Sequence, residues 1–442
     1  CLRMTRTAPR TRRRHCTAEN ARRRKIIERR PRPSRPRCNH LNATTQAPTK
    51  KMQSVVVALA LSSAAALVAP SRPAARAAPL EAATISLPAT VKPGVVTGEA
   101  LVDLLSYAKE KGFAIPAVNA VSSCGINACM EAAAKFGGPM IVQFSRGGGQ
   151  FLAGKAVSAG EPDKASVAGC VAGALQVRQL AELYGVPVIL HTDHCMRDWL
   201  PWFDGLLEAN EDYFAKNGEP LFSSHMLDLS EDPLEENIAT CVEYLERMSK
   251  SNLLLEMELG ITGGEEDGVD NSDVDSSKLY TQPEEVWQVY EALSKVPNGK
   301  FTVAAAFGNV HGVYSPGNVR LEPQILHNTQ KFISEKLGGD DKKPVYFVFH
   351  GGSGSSTEDI QYAIEAGTIK MNIDTDTQWS FWDGIREYEA KNHDYLQQQI
   401  GNPDGADKPN KKYYDPRMPL RAAEEATVER LGKAMEDLKC VN

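Results

Sequence analysis

Four of the seven histidines that follow residue 51 fall beside apolar runs and close to carboxylates: His191, His194, His311 and His350. Three imidazoles that leave a fourth position open describe a catalytic zinc site rather than a structural one. In His191-Thr-Asp-His194 the two rings do not serve one ion together, because residues three apart on a strand point to opposite faces. His194, past its apolar run, is the expected ligand, and His191 is expected to be packed or hydrogen-bonded. His311 closes Phe307-Gly-Asn-Val-His311, and His350 precedes the turn Gly351-Gly-Ser-Gly354. Backbone N–H groups exposed in such a turn can cradle a phosphate, and Asn372-Ile-Asp-Thr375 offers further donors. A metal beside two anion-binding loops points to a phosphorylated substrate. Five carboxylates lie in the twelve residues from Glu256 to Asp267. They form either a solvated acidic loop or a mobile, Gly-flanked loop that delivers one carboxylate as a base.

Those residues need a scaffold that brings them together. From about residue 92 the chain alternates short apolar runs with amphipathic stretches. The runs are 113–119, 140–145, 187–193, 223–229, 253–259, 301–307, 345–350 and 369–374. Each is rich in branched or aromatic residues and is followed by a helical pattern, such as 235–248 or 283–293. Strands separated by helices pair in parallel, and eight of them predict a closed (β/α)8 barrel, with a C-terminal helical arm after the last. A doubly wound open sheet is the alternative, but no GxGxxG follows the first run. Asn119, Ser145, Asp193, Asp228, Glu258, His350, Asn372 and Asp374 then stand at C-terminal strand ends or just beyond. In such a barrel that rim carries the active site.

The composition, 42% hydrophobic and 24% charged over 442 residues, is that of a globular protein. The net charge of −6 is uneven, because residues 1–51 hold 17 Lys/Arg against Glu19 and Glu28. The body is therefore strongly acidic, which speaks against nucleic acid as a partner. Nine cysteines without a CxxC pair suggest neither a disulfide framework nor a thiolate metal site. The Arg- and Pro-rich head over 1–51 has no apolar periodicity and is expected to be disordered, or to be upstream sequence untranslated in the native protein. Met52 opens a second signal: Lys50 and Lys51, the apolar run 55–69, then an Ala/Pro/Arg-rich stretch to about residue 90. Signal-like and transit-like segments in series match the bipartite leader of proteins bound for complex plastids. The expected destination is the plastid stroma, with the cytosol as alternative, and no membrane association after processing. The domain proper is expected over 91–442.

Taken together, the motifs closely resemble those of class II fructose-1,6-bisphosphate aldolases, in the longer subclass of bacteria, fungi and algae. They are Leu190-His-Thr-Asp-His194, Phe222-Ser-Ser-His-Met226, Thr262-Gly-Gly-Glu-Glu-Asp-Gly268, Phe307-Gly-Asn-Val-His-Gly312, Phe349-His-Gly-Gly-Ser-Gly354, Asn372-Ile-Asp-Thr-Asp-Thr377 and Pro409–Arg417. The resemblance implies reversible cleavage of fructose 1,6-bisphosphate, in glycolysis, gluconeogenesis or the Calvin cycle, through a zinc-stabilised enediolate. It implies His194, His311 and His350 as zinc ligands, with Glu258 and Asp228 as further or alternate ones, including for a second divalent ion. Asp193 would protonate the aldehyde oxygen, Glu266 would remove the ketose proton, and Asn372 would contact the enediolate. Asn119, Gly351, Gly352, Ser353, Asp374 and Thr375 would surround the dihydroxyacetone-phosphate end, with Ser145 and Lys411 at the other. Arg417 would reach the second phosphate from the partner of a homodimer. Backbone carbonyls at Val310, Gly312 and Gly351 would hold Na+ or K+. Arg146 departs from the expected Asn. Tagatose-bisphosphate aldolase uses near-identical machinery and is the nearest rival. A zinc-dependent barrel hydrolase is more distant, since no His-x-His marks the first strand.

Overall fold

The computed structural model describes residues 86–441, except 159, 267–268, 271–275 and 313–319. The basic head and residues 52–85 of the leader lie outside the described residues, as does the side chain of Glu266. Eight strands appear where the apolar runs lie: β1 Ile115–Asn119, β2 Met140–Phe144, β3 Pro187–Thr192, β4 Ser224–Leu227, β5 Leu254–Leu259, β6 Lys300–Ala305, β7 Phe347–Phe349 and β8 Thr368–Asn372. Each pairs in parallel with the next, and β8 pairs with β1, which closes the barrel. The strands read as near-continuous apolar runs because both faces are covered, one by the barrel interior and the other by helices. Every residue of β2, β3 and β8 is buried.

Several strands stop short of the runs that announced them. The run 345–350 contributes only Phe347–Phe349 to the ladder, and Ser145, Asp193 and His350 stand just past their strands. Their polar side chains leave the ladder at the rim, although Asp193 N still donates to Phe144 O at 3.0 Å. Above the rim the loops after β5 and β6 form a small sheet that the sequence pattern did not announce. Gly263–Glu266 pairs in parallel with Val310–His311 and antiparallel with Val269–Asp270.

After β8 come the helix Thr375–Leu396, the hairpin Ile400–Asn402/Gly405–Pro409, a short helix Lys411–Tyr414 and the helix Arg417–Asp437. This is the expected arm. Its last helix returns to the barrel and packs against the helix Ser123–Phe136, close enough that a Cβ on Gly432 would lie 2.0 Å from the Phe136 ring. Among the described residues no helix is long and apolar enough to cross a membrane.

Candidate active site

Three loops, from two sides of the barrel, deliver the imidazoles to one point. His194 follows β3, His311 sits in the loop sheet, and His350 follows β7. The His194 ring centroid lies 5.1 Å from that of His311 and 4.6 Å from that of His350. The loop sheet is what fixes His311, through the register Val310↔Gly263 and His311↔Gly264. The loop carrying His350 is wedged against the same strand. Gly351 has φ +61°, and a Cβ there would lie 2.2 Å from Val310 O, so no other residue fits.

Hydrogen bonds assign the protons. Asp228, just past β4, lies with Oδ2 2.9 Å from His194 Nδ1. Glu256, inside β5, lies with Oε1 2.9 Å from His350 Nε2. An ionised carboxylate only accepts, so the two rings donate from these atoms. Their other nitrogens, His194 Nε2 and His350 Nδ1, face each other at 2.9 Å. With the protons so placed, both nitrogens point into the same space, an arrangement that suits a shared cation. His194, His311 and His350 bring one ligand atom each to within 4.8 Å of one another, and so do His194, Asp228 and Glu258. The donor set of imidazoles and carboxylates suits zinc.

The electrostatics of the carboxylates and imidazoles around this point suit a cation. Burial, with Asp228 adding to it, pushes the Glu258 carboxyl well above the usual carboxylate range. Its Oε1 accepts from Thr262 Oγ1 at 2.8 Å, while Oε2 lies 3.4 Å from His194 Nδ1 and has no hydrogen-bond partner. Burial, then His194 and Lys370, hold His350 well below the ordinary histidine value, so it is neutral. Asp228 goes the other way. Burial alone would raise it, but the hydrogen bond with His194 holds it below the carboxylate range. Asp193 is also below its ordinary value: burial would raise it, but His194 and Lys370 beside it lower it further. It is 1% exposed, and Asn372 Nδ2 donates to its Oδ1 at 3.2 Å.

A pocket of about 300 Å³ opens over this cluster, lined among others by Ser145, Asp193, His194, Asp228 and His311. The glycine turn and the β8 loop form one unit beside it. Gly352 N donates to Asn372 O at 3.1 Å, and Asp376 N donates to Ser353 Oγ at 3.3 Å. Asp374 and Thr375 stand at the start of the helix that follows. His191 is sealed in the core as expected, with Nδ1 2.8 Å from Ser224 Oγ. The arm residues are not brought in by their own chain. Lys411 and Arg417 do not line the pocket, and Arg417 pairs instead with Asp415 at 2.6 Å.

Two features correct the sequence reading. Glu256 and Glu258 do not belong to a solvated acidic loop: each is 2% exposed, two residues apart on the inner face of β5. The alternation was legible, since residues i and i+2 share a face, but an apolar strand with two inward carboxylates contradicts ordinary packing. The other is Lys370, passed over in the sequence, which reaches across the barrel to both oxygens of Glu256 at 2.7 and 2.8 Å. Arg197 was also missed; it lines the pocket and holds Asp232 at 2.8 Å. Arg146 pairs with Asp163 at 2.7 Å and lies over the Trp199 ring.

The family model for class II fructose-bisphosphate aldolase matches residues 99–442. The chain belongs to the class II fructose-bisphosphate aldolases. A fructose-bisphosphate aldolase of Campylobacter jejuni is 59% identical over 352 residues, which is 80% of this chain and 98% of that protein. The class 2 fructose-bisphosphate aldolase of Escherichia coli (strain K12) is 56% identical over the same length and share of each. The crystal structure of the Campylobacter jejuni enzyme superposes with a TM-score of 0.73 at 57% identity, covering 80% of this chain and 98% of that one. This aldolase is therefore a lyase on a (β/α)8 barrel that cleaves and forms fructose 1,6-bisphosphate. Neither the tagatose nor the hydrolase alternative is favoured by these relatives.

Proposed function

We propose that the aldol reaction of this enzyme depends on a zinc ion gripped by His194, His311 and His350, with Glu258 and Asp228 available as alternate ligands. The observation that carries this is the convergence of two imidazole nitrogens 2.9 Å apart, each ring anchored from behind by a carboxylate. When bound, the ion supplies electrophilic stabilisation of the charge left beside a carbonyl as the carbon–carbon bond breaks. The remaining steps fall to the chain. In cleavage, Asp193 takes the proton of the C4 hydroxyl as the aldehyde forms, and in condensation it returns that proton to the aldehyde oxygen. A carboxyl held below its ordinary value is ionised and so able to accept a proton. Glu266, on the loop strand Gly263–Glu266, would exchange the proton at the ketose carbon. Asn372, which donates to Asp193, would contact the enediolate.

Gly351, Gly352 and Ser353, with Asp374, Thr375 and Asn119, would hold dihydroxyacetone phosphate, and Ser145 with Lys411 the other half. The contact between the Gly351 loop and Val310 supports a monovalent cation held by carbonyls of Val310, Gly312 and Gly351. A homodimer is supported by exposed apolar side chains on the arm, including Trp379, Trp382, Tyr414 and Met418. In it, Arg417 would complete the partner's phosphate site. The leader composition supports delivery to a plastid stroma and work in the Calvin cycle.

The substrate is tested by a coupled assay on fructose 1,6-bisphosphate and on its C4 epimer. Clear preference for fructose is expected, and preference for the epimer would assign the tagatose activity instead.

A further inference from the structure

We propose that Glu256, fixed by Lys370, is a positioning residue that locks His350 in its Nε2–H tautomer and so aims Nδ1 at the cation site. The proposal rests on reading the three-histidine cluster as a metal site. Glu256 and Lys370 are 2% and 3% exposed and belong to β5 and β8, with two strands between them in the barrel wall. Their side chains meet across the interior, where Lys370 Nζ donates to Oε1 at 2.7 Å and to Oε2 at 2.8 Å. Oε1 also accepts from His350 Nε2 at 2.9 Å. Among the described residues no other hydrogen bond to that oxygen pair competes. His191 Nε2 is 3.8 Å from Oε2, too far for a hydrogen bond, and its Nδ1 is taken by Ser224.

A buried ion pair is an expensive way to fill a barrel. Desolvating the two charges costs several kcal/mol each, and an apolar pair of similar volume is often as stable or more so. Barrel interiors are ordinarily filled with branched apolar side chains. The charges here serve the third member. A neutral imidazole has one proton to place, and the hydrogen bond made by one nitrogen decides what the other can do. A carboxylate behind Nε2 draws the proton there and frees the Nδ1 lone pair. Lys370 holds that carboxylate in place by donating to both of its oxygens, so that Oε1 stays turned toward the ring. Asp228 does the same for His194 from the opposite ring nitrogen. Partners of this kind behind a ligating histidine typically change metal affinity by about 10- to 100-fold.

The test compares zinc affinity, by competition with a chromophoric chelator, in the whole protein and two double variants. Glu256→Met/Lys370→Met removes the acceptor and leaves no unpaired charge, so the metal-free fold should persist. It should bind zinc about 10- to 100-fold more weakly. Glu256→Gln/Lys370→Met keeps an amide oxygen behind Nε2 and should recover most of the loss. Unchanged zinc affinity in folded Met/Met protein overturns the proposal. A second measurement does not depend on the variants folding. In 15N-edited imidazole spectra of the metal-free wild type, His350 should carry its proton on Nε2, and a proton on Nδ1 overturns the proposal. If the wild type takes up no zinc, the metal reading falls, and the tautomer measurement separates that failure from this one.

Discussion

Replacing Asp193 by asparagine deletes a basic oxygen and keeps the shape of the side chain. The residue is 1% exposed, and Asn372 Nδ2 donates to Oδ1 at 3.2 Å. The amide oxygen of the substituted side chain can accept that bond, so no cavity opens and Asn372 keeps its place. The nearest ligand atom, His194 Nε2, is 4.0 Å from Oδ1 and is anchored from behind by Asp228, not by Asp193. Zinc content should therefore remain at one ion per subunit. What disappears is the acceptor for the C4 hydroxyl proton, and neither neighbouring buried histidine replaces it. His350 Nε2 is committed to Glu256 and His191 Nδ1 to Ser224. Loss of a positioned general base costs about 10²- to 10⁴-fold in rate, or roughly 3–5 kcal/mol in the barrier. The assay is kcat for fructose 1,6-bisphosphate cleavage, coupled to triose-phosphate turnover, alongside metal analysis of the same preparation. A kcat within tenfold of wild type, or zinc lost together with activity, would refute the division between proton carrier and metal ligands.

Arg417→Ala should raise KM for fructose 1,6-bisphosphate steeply while changing fructose 1-phosphate little, because the two differ only in the phosphate that Arg417 is assigned. Mixed dimers with an Asp193 variant should regain activity, and no recovery despite subunit exchange would refute the cross-subunit role. Burial lowers His225 in β4 to about 3, against 6.5 ordinarily, so between these values the unfolded chain binds the extra proton. Its contribution to stability is thus full above pH 6.5 and is lost as pH falls toward 3. His225→Gln should flatten the fall in urea-unfolding free energy between pH 6 and 4 by about 1.4 kcal/mol per unit. An unchanged slope would mean that His225 does not titrate on unfolding. Residues 52–95 fused to a fluorescent protein should reach the plastid of a host with a complex plastid, whereas cytosolic fluorescence would refute the targeting.

The barrel was legible because parallel strands covered on both faces become continuous apolar runs, and the helices between them keep their own period. The rim residues were legible for the same reason: Asp193 and His350 interrupt an apolar run at one end. Pairings that depend on three dimensions were not. The loop sheet that fixes His311 joins residues about 47 positions apart through backbone bonds, which any side chain permits. The Glu256–Lys370 pair joins β5 to β8, and each residue alone reads as a blemish in its strand. Arg417 remains the reverse case: its role rests on motif resemblance, and within one chain it pairs with Asp415.

The central claim, catalysis by a metal held at His194, His311 and His350, is tested most directly by removing the ion and returning it. Dialysis against a strong chelator should abolish cleavage of fructose 1,6-bisphosphate, and one equivalent of zinc per subunit should restore it. Borohydride added with substrate should leave the enzyme active, because the buried Lys370 is committed to Glu256. Full activity in metal-free protein, or inactivation by borohydride with a lysine adduct, would contradict the account.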